Sequence, residues 1–197
     1  MLILLFTRCE RNDPVDITDN AFLTALIEQG VDTDGDGLIS NIEAEAVTHL
    51  ELYNKNISDL SGIERFINLV LMGCGNNALS RLDVSNSRFL QLLICGDNKL
   101  TTLDVSMNAA LQYLSCSSNQ LTLLDLSNIT RLHSLYCGDN LLSSLDISNN
   151  TYMGWLDITN MPSLYEVCVW TLPFPPERMH VDRTGSPNVY FTTECSN

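Results

Sequence analysis

Basic residues are scarce in this sequence. Ten Lys and Arg stand against twenty-four Asp and Glu in 197 residues, a formal net charge of −14 at pH 7. That balance lacks the basic footprint of nucleic-acid binding and disfavours docking on anionic lipid. Long apolar runs are missing too: none approaches the roughly 18 residues of a membrane-spanning helix. Histidine occurs only three times. The patterns G-x-S-x-G, P-loop, H-E-x-x-H and C-x-x-C are all absent, so none of those enzyme, phosphate or metal motifs is available. Apolar residues still make up 45% of the chain. That is enough for one domain with a buried core and too many for a disordered tail.

What is present is a repeat. Leu69, Leu90, Leu111 and Leu132 recur at equal intervals, with a 21-residue period. The same spacing holds for Cys74, Cys95, Cys116 and Cys137, and for Asn77, Asn98, Asn119 and Asn140. It holds again for Leu79 to Leu142, Leu82 to Leu145, Asp83 to Asp146 and Ser85 to Ser148. One unit reads L-x-x-L-x-C-x-x-N-x-L-x-x-L-D-(V/L/I)-S-x-x-x-x. This pattern resembles the leucine-rich repeat at the short end of its range. An upstream variant, one position longer and running from Val47 to Ile63 and onward, looks like the repeats of bacterial internalin-type surface proteins. The resemblance implies an α/β repeat solenoid: a right-handed coil with a parallel concave sheet and a short helical N-terminal cap. The expected divisions are a leader-like segment at 1–15, a cap at 16–46, repeats at 47–170 and a C-terminal cap at 171–197. Downstream of Ser148 the period is read as broken, with an eleven-residue half-unit at Met153–Ser163. Leu164, Val167 and Val169 then open a last strand.

Each column has a physical reading. No coil buries its apolar face alone, so stacked neighbours supply the core. About seven strands at 4.8 Å give a stack of roughly 30 Å. The Asn column is expected to bond backbone groups of its own and adjacent coils. The Cys column reads as a ladder of buried free thiols, since its spacing does not suit zinc and no His joins it. Each Asp of the Asp-x-Ser column is expected to accept the N–H two residues on.

Asp32-Thr-Asp34-Gly-Asp36-Gly37-Leu38-Ile-Ser40-Asn-Ile-Glu43 matches D-x-[DN]-x-[DN]-G-x5-E, the calcium loop of EF-hands. That chemistry assigns Asp32, Asp34 and Asp36 as carboxylate ligands and Gly37 as the sharp turn. Leu38 contributes its carbonyl, Ser40 binds directly or through water, and Glu43 binds bidentately. A helix over Thr18–Gln29 and a short one from Asn41 to Val47 should flank the loop. One lone hand reads as a structural brace for Ca2+ at the N-terminal end of the coil.

At the start, an apolar stretch, Leu2–Phe6, runs toward Cys9 and a polar segment. This resembles a bacterial lipoprotein signal, with Cys9 as the lipidated residue. Arg8 stands where that motif has a small residue, and a plain terminus with a stray Cys is the alternative. An exported chain can also join Cys168 to Cys195, stapling the C-terminal cap. Cys168, one place before Val169, is expected to face outward.

Residues between the columns should face solvent on the concave sheet. The expected rows are His49, Leu71, Leu92, Tyr113, Ser134 and Glu166; Glu51, Gly73, Ile94, Ser115, Tyr136 and Cys168; and Tyr53, Gly75, Gly96, Ser117, Gly138 and Trp170. Trp155 joins the first row. This face is rich in aromatics and poor in charge. Leu92, Ile94, Tyr113, Tyr136, Trp155 and Trp170 are the candidate ligand contacts. The expectation is a non-enzymatic, monomeric, cell-surface or extracellular module whose ligand is a protein. Membrane attachment would come only through the lipid. Glycines 73, 75, 96 and 138 leave shallow grooves that offer glycan stacking as the alternative. A spacer without a ligand, or a polysaccharide hydrolase using Glu51, Glu166 and Asp157, are the remaining readings.

Overall fold

The computed structural model describes residues 13–195. Cys9 and the remainder of the leader-like segment up to residue 12 lie outside them. The described chain opens with Pro14 bridged antiparallel to Ser40, and Val15 N–H donates to the Ile39 carbonyl at 2.7 Å. Helix α1 spans Asn20–Glu28 and α2 spans Asn41–Ala46. Ten three-residue strands follow, with one short 3-10 turn at Ile63–Arg65.

Asp19 starts α1 and ties it to the first coil. Its Oδ1 accepts from the N–H groups of Ala21 and Phe22, capping the helix; its Oδ2 accepts from Ser58 N–H, Ser58 Oγ and Asp59 N–H. The buried face of α1 presents Phe22, Ala25 and Leu26. The Phe22 ring meets Phe66 at a centroid distance of 6.2 Å. Gln29, at the end of α1, accepts from the Glu51 N–H at 3.0 Å. The cap therefore covers an edge strand that would otherwise offer unpaired backbone groups.

The larger sheet has seven parallel strands. They are β1 (His49–Glu51), β2 (Leu71–Gly73), β3 (Leu92–Ile94), β4 (Tyr113–Ser115), β5 (Ser134–Tyr136), β7 (Trp155–Asp157) and β9 (His180–Asp182). Their central residues stand in one register: Leu50, Met72, Leu93, Leu114, Leu135, Leu156 and Val181. All of these except Val181 are fully buried, and they feed a single core that runs the length of the stack. A second parallel sheet holds β6 (Ser144–Asp146), β8 (Glu166–Cys168) and β10 (Tyr190–Thr192).

The C-terminal half departs from the sequence reading. There is no half-unit. Met153, Leu156, Ile158 and Met161 continue the columns of Leu132, Leu135, Cys137 and Asn140 at the same spacing, and β7 pairs with β5 as the next strand of the larger sheet. Glu166–Cys168 then lies one coil beyond β6 and pairs with it on the second sheet. The coil is disguised because its Cys position is Ile158 and its Asn position is Met161. Ser186, which holds the Asn position of the next coil, supplies one of the missing amide's bonds. Its hydroxyl accepts from Met161 N–H and donates to the Ile158 carbonyl. Strands β9 and β10 carry both sheets beyond residue 170, the expected end of the repeats.

The Asn column acts as anticipated. Asn98, Asn119 and Asn140 each donate to carbonyls of their own coil and the preceding one, and accept a backbone N–H of the preceding coil. A second set of buried amides is not visible as a column. Asn108 donates to Val84 and Ser87 carbonyls, and Asn150 to Leu126 and Ile129 carbonyls. They recur only at every second coil, because Ser87 and Ile129 hold the intervening positions.

Candidate interaction face

The seven-stranded sheet turns alternate side chains outward. The first outward row is His49, Leu71, Leu92, Tyr113, Ser134, Trp155 and His180. The second is Glu51, Gly73, Ile94, Ser115, Tyr136, Asp157 and Asp182. Tyr113, Tyr136, Trp155 and His180 form a continuous file of rings. Successive centroids are 5.3, 6.1 and 4.1 Å apart, and the last two pairs are stacked. Leu92 and Ile94 adjoin the file on β3 and are half-buried. Five of the six candidate contacts are thus brought together.

Trp170 is not among them. It follows β8, and its ring meets Phe174 edge-on at 5.5 Å, with Phe174 against Phe191 at 4.7 Å. Glu166 and Cys168 leave the face for the same reason, since β8 belongs to the second sheet. Cys168 does not face solvent. It is buried and joined to Cys195 by a disulfide with Cα atoms 5.4 Å apart. Three residues of this face stand outside the expected rows: His180, Asp157 and Asp182. The signal available for β7 was the unbroken spacing from Ser134 to Trp155.

The glycines do not leave grooves. A Cβ on Gly73 would overlap the Tyr53 ring, which lies across it, and one on Gly138 would sit 2.5 Å from Thr159 Oγ1 and 2.9 Å from its carbonyl oxygen. A Cβ on Gly96 would lie 3.1 Å from the Ser117 carbonyl. These positions lack side chains because neighbouring coils already fill the space.

The acidic loop lies at the other end. Asp32, Asp34 and Asp36 each bring a carboxylate oxygen within 4.8 Å of the others. Asp32 accepts from Gly35 and Gly37 N–H, and Gly37 takes φ +84°, which favours glycine. Leu38 is exposed and its N–H donates to Asp36. Glu43 sits differently from the sequence expectation. Its Oε1 accepts from Thr33 N–H and Oγ1, and its Oε2 from Ser40 N–H and Oγ, closing a capping box on α2. The three aspartates offer an all-oxygen donor set of the kind that suits Ca2+, and both Glu43 oxygens are engaged by Thr33 and Ser40.

Burial alone would raise the Glu43 pKa. The bonds from Ser40 and Thr33 outweigh it and bring the pKa down from 4.5 to about 2. Asp83, Asp104 and Asp125 also lie below the usual carboxylate range, held there by hydrogen bonds from Ser85, Ser106 and Ser127. Each is ionised more readily when folded than unfolded. Their stabilisation is therefore complete above the unfolded pKa and is lost as pH falls through the folded value. Urea midpoints should fall between pH 4.5 and pH 2, and Glu43→Gln should flatten part of that fall. A midpoint independent of pH over this range would contradict the account.

No protein-family model and no curated protein matches the chain. Solved structures do. The functional domain of InlJ from Listeria monocytogenes, described as including a cysteine ladder, is 28% identical, with a TM-score of 0.65 over 81% of this chain and 41% of that one. This chain is a leucine-rich-repeat domain of internalin-like fold. An internalin, InlF, from the same organism has a TM-score of 0.67 at 19% identity, covering 91% of this chain and 57% of that one. A leucine-rich-repeat protein of Leptospira interrogans has a TM-score of 0.61 at 21% identity, covering 72% and 38%. The last two speak for the fold alone. The domain spans 41%, 57% and 38% of the lengths of these three chains.

The internalin-like domain carries a cysteine ladder of its own. Cys74, Cys95, Cys116 and Cys137 are free and buried. Desolvation pushes the thiols of Cys74 and Cys116 up to about 12, and those of Cys95 and Cys137 well above the ordinary range. Such thiols are core-filling groups rather than nucleophiles.

Proposed function

We propose that this domain is a cell-surface or secreted binding module that takes a protein ligand on the outward face of its larger sheet. The ring file of Tyr113, Tyr136 and Trp155 carries the reading. Rigid strands hold these aromatics in contact, with Leu92 and Ile94 alongside, and aromatic anchors of this kind dominate protein interfaces. Internalin-like leucine-rich-repeat domains are generally binding modules rather than enzymes, which supports the same conclusion. Glycan stacking loses its main argument, because the glycine positions are filled. The test is affinity capture from solubilised cell-surface extract on immobilised domain, beside Tyr136→Ala and Trp155→Ala variants of verified fold. A protein retained by the parent and lost by both variants is expected. Retention unchanged in both would remove this face from the function.

Calcium is the second part of the reading. Asp32, Asp34, Asp36, Ser40, Glu43 and the Leu38 carbonyl would hold the ion, which would neutralise the converging carboxylates and fix the cap. A Kd of about 10⁻⁴–10⁻³ M is expected for such a site. At 10 mM Ca2+ this adds roughly 1.4–2.7 kcal/mol of stability. A thermal melt with Ca2+ against chelator reads it, and Asp34→Ala should abolish the difference. Equal melting in both buffers would contradict the assignment.

A further inference from the structure

The continuation of the larger sheet through β7 and β9 changes the charge of its face. In place of Cys168, the second row ends in Asp157 and Asp182, in line with Tyr136 along one register. Asp157 also lies two residues from Trp155 on the same side of β7. Trp155 is 36% exposed and is stacked between Tyr136 and His180.

Both carboxylates are fixed by one oxygen. Asp157 Oδ1 accepts from Thr159 N–H at 2.9 Å, and Asp182 Oδ1 accepts from Thr184 N–H and Oγ1 at 3.0 and 2.8 Å. Their second oxygens receive no hydrogen bond from the described residues. No Lys or Arg stands in either outward row: the only basic-type side chains there are His49 and His180. The whole chain carries −14. The C-terminal end of the face thus combines an aromatic wall with two preset anionic acceptors and no internal Lys or Arg to satisfy them.

We propose that this end of the face receives a lysine- or arginine-bearing segment of the protein partner. The proposal rests on the binding-face reading above and names the partner's chemistry. A long basic side chain lays its apolar stem along Tyr136 and Trp155 while its head reaches Asp157 and Asp182. Arg gains most, because its planar head stacks on aromatic rings and bonds carboxylates in pairs. An acidic or uncharged partner would leave both carboxylates desolvated without compensation, which costs binding.

Three synthetic peptides test this on the full chain: acetylated and amidated (Gly-Arg)3, its Lys twin and its Gln twin. The readouts are the Trp155 indole N–H resonance and the Kd. Trp170, packed against Phe174 away from this face, is the internal reference. The Arg and Lys peptides should shift Trp155 and leave Trp170 unmoved, and the Gln peptide should shift neither. Asp157→Asn with Asp182→Asn keeps the shape and should weaken the Arg peptide about tenfold. Asp83→Asn with Asp125→Asn makes the same charge change in the Asp-x-Ser column and should weaken it less than about twofold. Equal weakening by the two pairs, or equal binding of the Gln peptide, would show general attraction to an acidic protein and overturn the proposal. So would an unmoved Trp155. If a captured protein still depends on Tyr136 and Trp155 in that case, the binding face stands and only its basic preference fails.

Discussion

Asn119→Ala should lower the unfolding free energy by about 3–5 kcal/mol. The side chain is 8% exposed and serves two coils. Its amide donates to the carbonyls of Cys95 and Cys116 at 3.1 and 3.0 Å, and its carbonyl accepts from Leu100 N–H at 2.9 Å. Alanine leaves the Leu100 N–H unpaired and takes one of two hydrogen bonds from each of the Cys95 and Cys116 carbonyls, which keep Asn98 and Asn140. Each such loss is worth about 1–3 kcal/mol, reduced where water enters the gap. Because coils contact only their neighbours, the damage should concentrate between β3 and β5. Urea unfolding measures the total, and native-state hydrogen exchange locates it. Asn119→Asp should also be costly, since a carboxylate offers nothing to the two carbonyls. A loss under about 1 kcal/mol for Asn119→Ala would mean that water replaces the amide, and that the column is not what joins the coils.

Phe66→Ala should cost about 3–5 kcal/mol. Phe66 is fully buried and meets Phe22 of the cap helix. Its removal opens a cavity at the junction of cap and first coil. Asp19 would still hold α1 to Ser58 and Asp59. The cap should therefore stay attached but loosen, exposing β1 before the rest of the stack unfolds. Faster exchange of the α1 amides in Phe66→Ala, with β4 and β5 amides unchanged, is the expected pattern. A wild-type melting curve would contradict the idea that the cap is packed onto the first coil through this ring pair.

Much of this is legible in the sequence because the repeat states its own geometry. The Leu and Cys columns fix which residues face inward from Leu69 to Leu145 while the Asp column stays exposed, and the outward rows follow from alternation. The legible part of the face ends where the columns change residue type. Ile158 fills the Cys place and Met161 the Asn place, so a coil of ordinary shape reads as half of one. The spacing persists, but the Ile158 carbonyl is met by Ser186, in the Asn column of the next coil. That serine stands 25 positions on, outside the 21-residue spacing, and so does not show as a member of the column. Trp170 follows the same misreading onto the wrong sheet.

The acidic loop shows a different limit. Its spacing names the ligands, but the same Glu43 is also a good helix-capping residue, and spacing does not rank the two uses. The hydrogen bonds from Thr33 and Ser40 establish the capping use. A glycine is similarly ambiguous in sequence. At Gly73 it reads as open surface, while in the structure it is the floor beneath Tyr53.

The central claim is that the outward face of the larger sheet is where this domain meets its ligand. Hydroxyl-radical footprinting of the domain, free and bound to the protein it captures, tests this most directly. Tyr113, Tyr136 and Trp155 should be protected in the complex. Tyr152 and Tyr165, 73% and 55% exposed, should be modified equally in both states. Protection of Tyr152 or Tyr165 with the ring file still open to labelling would place the ligand elsewhere and contradict the account.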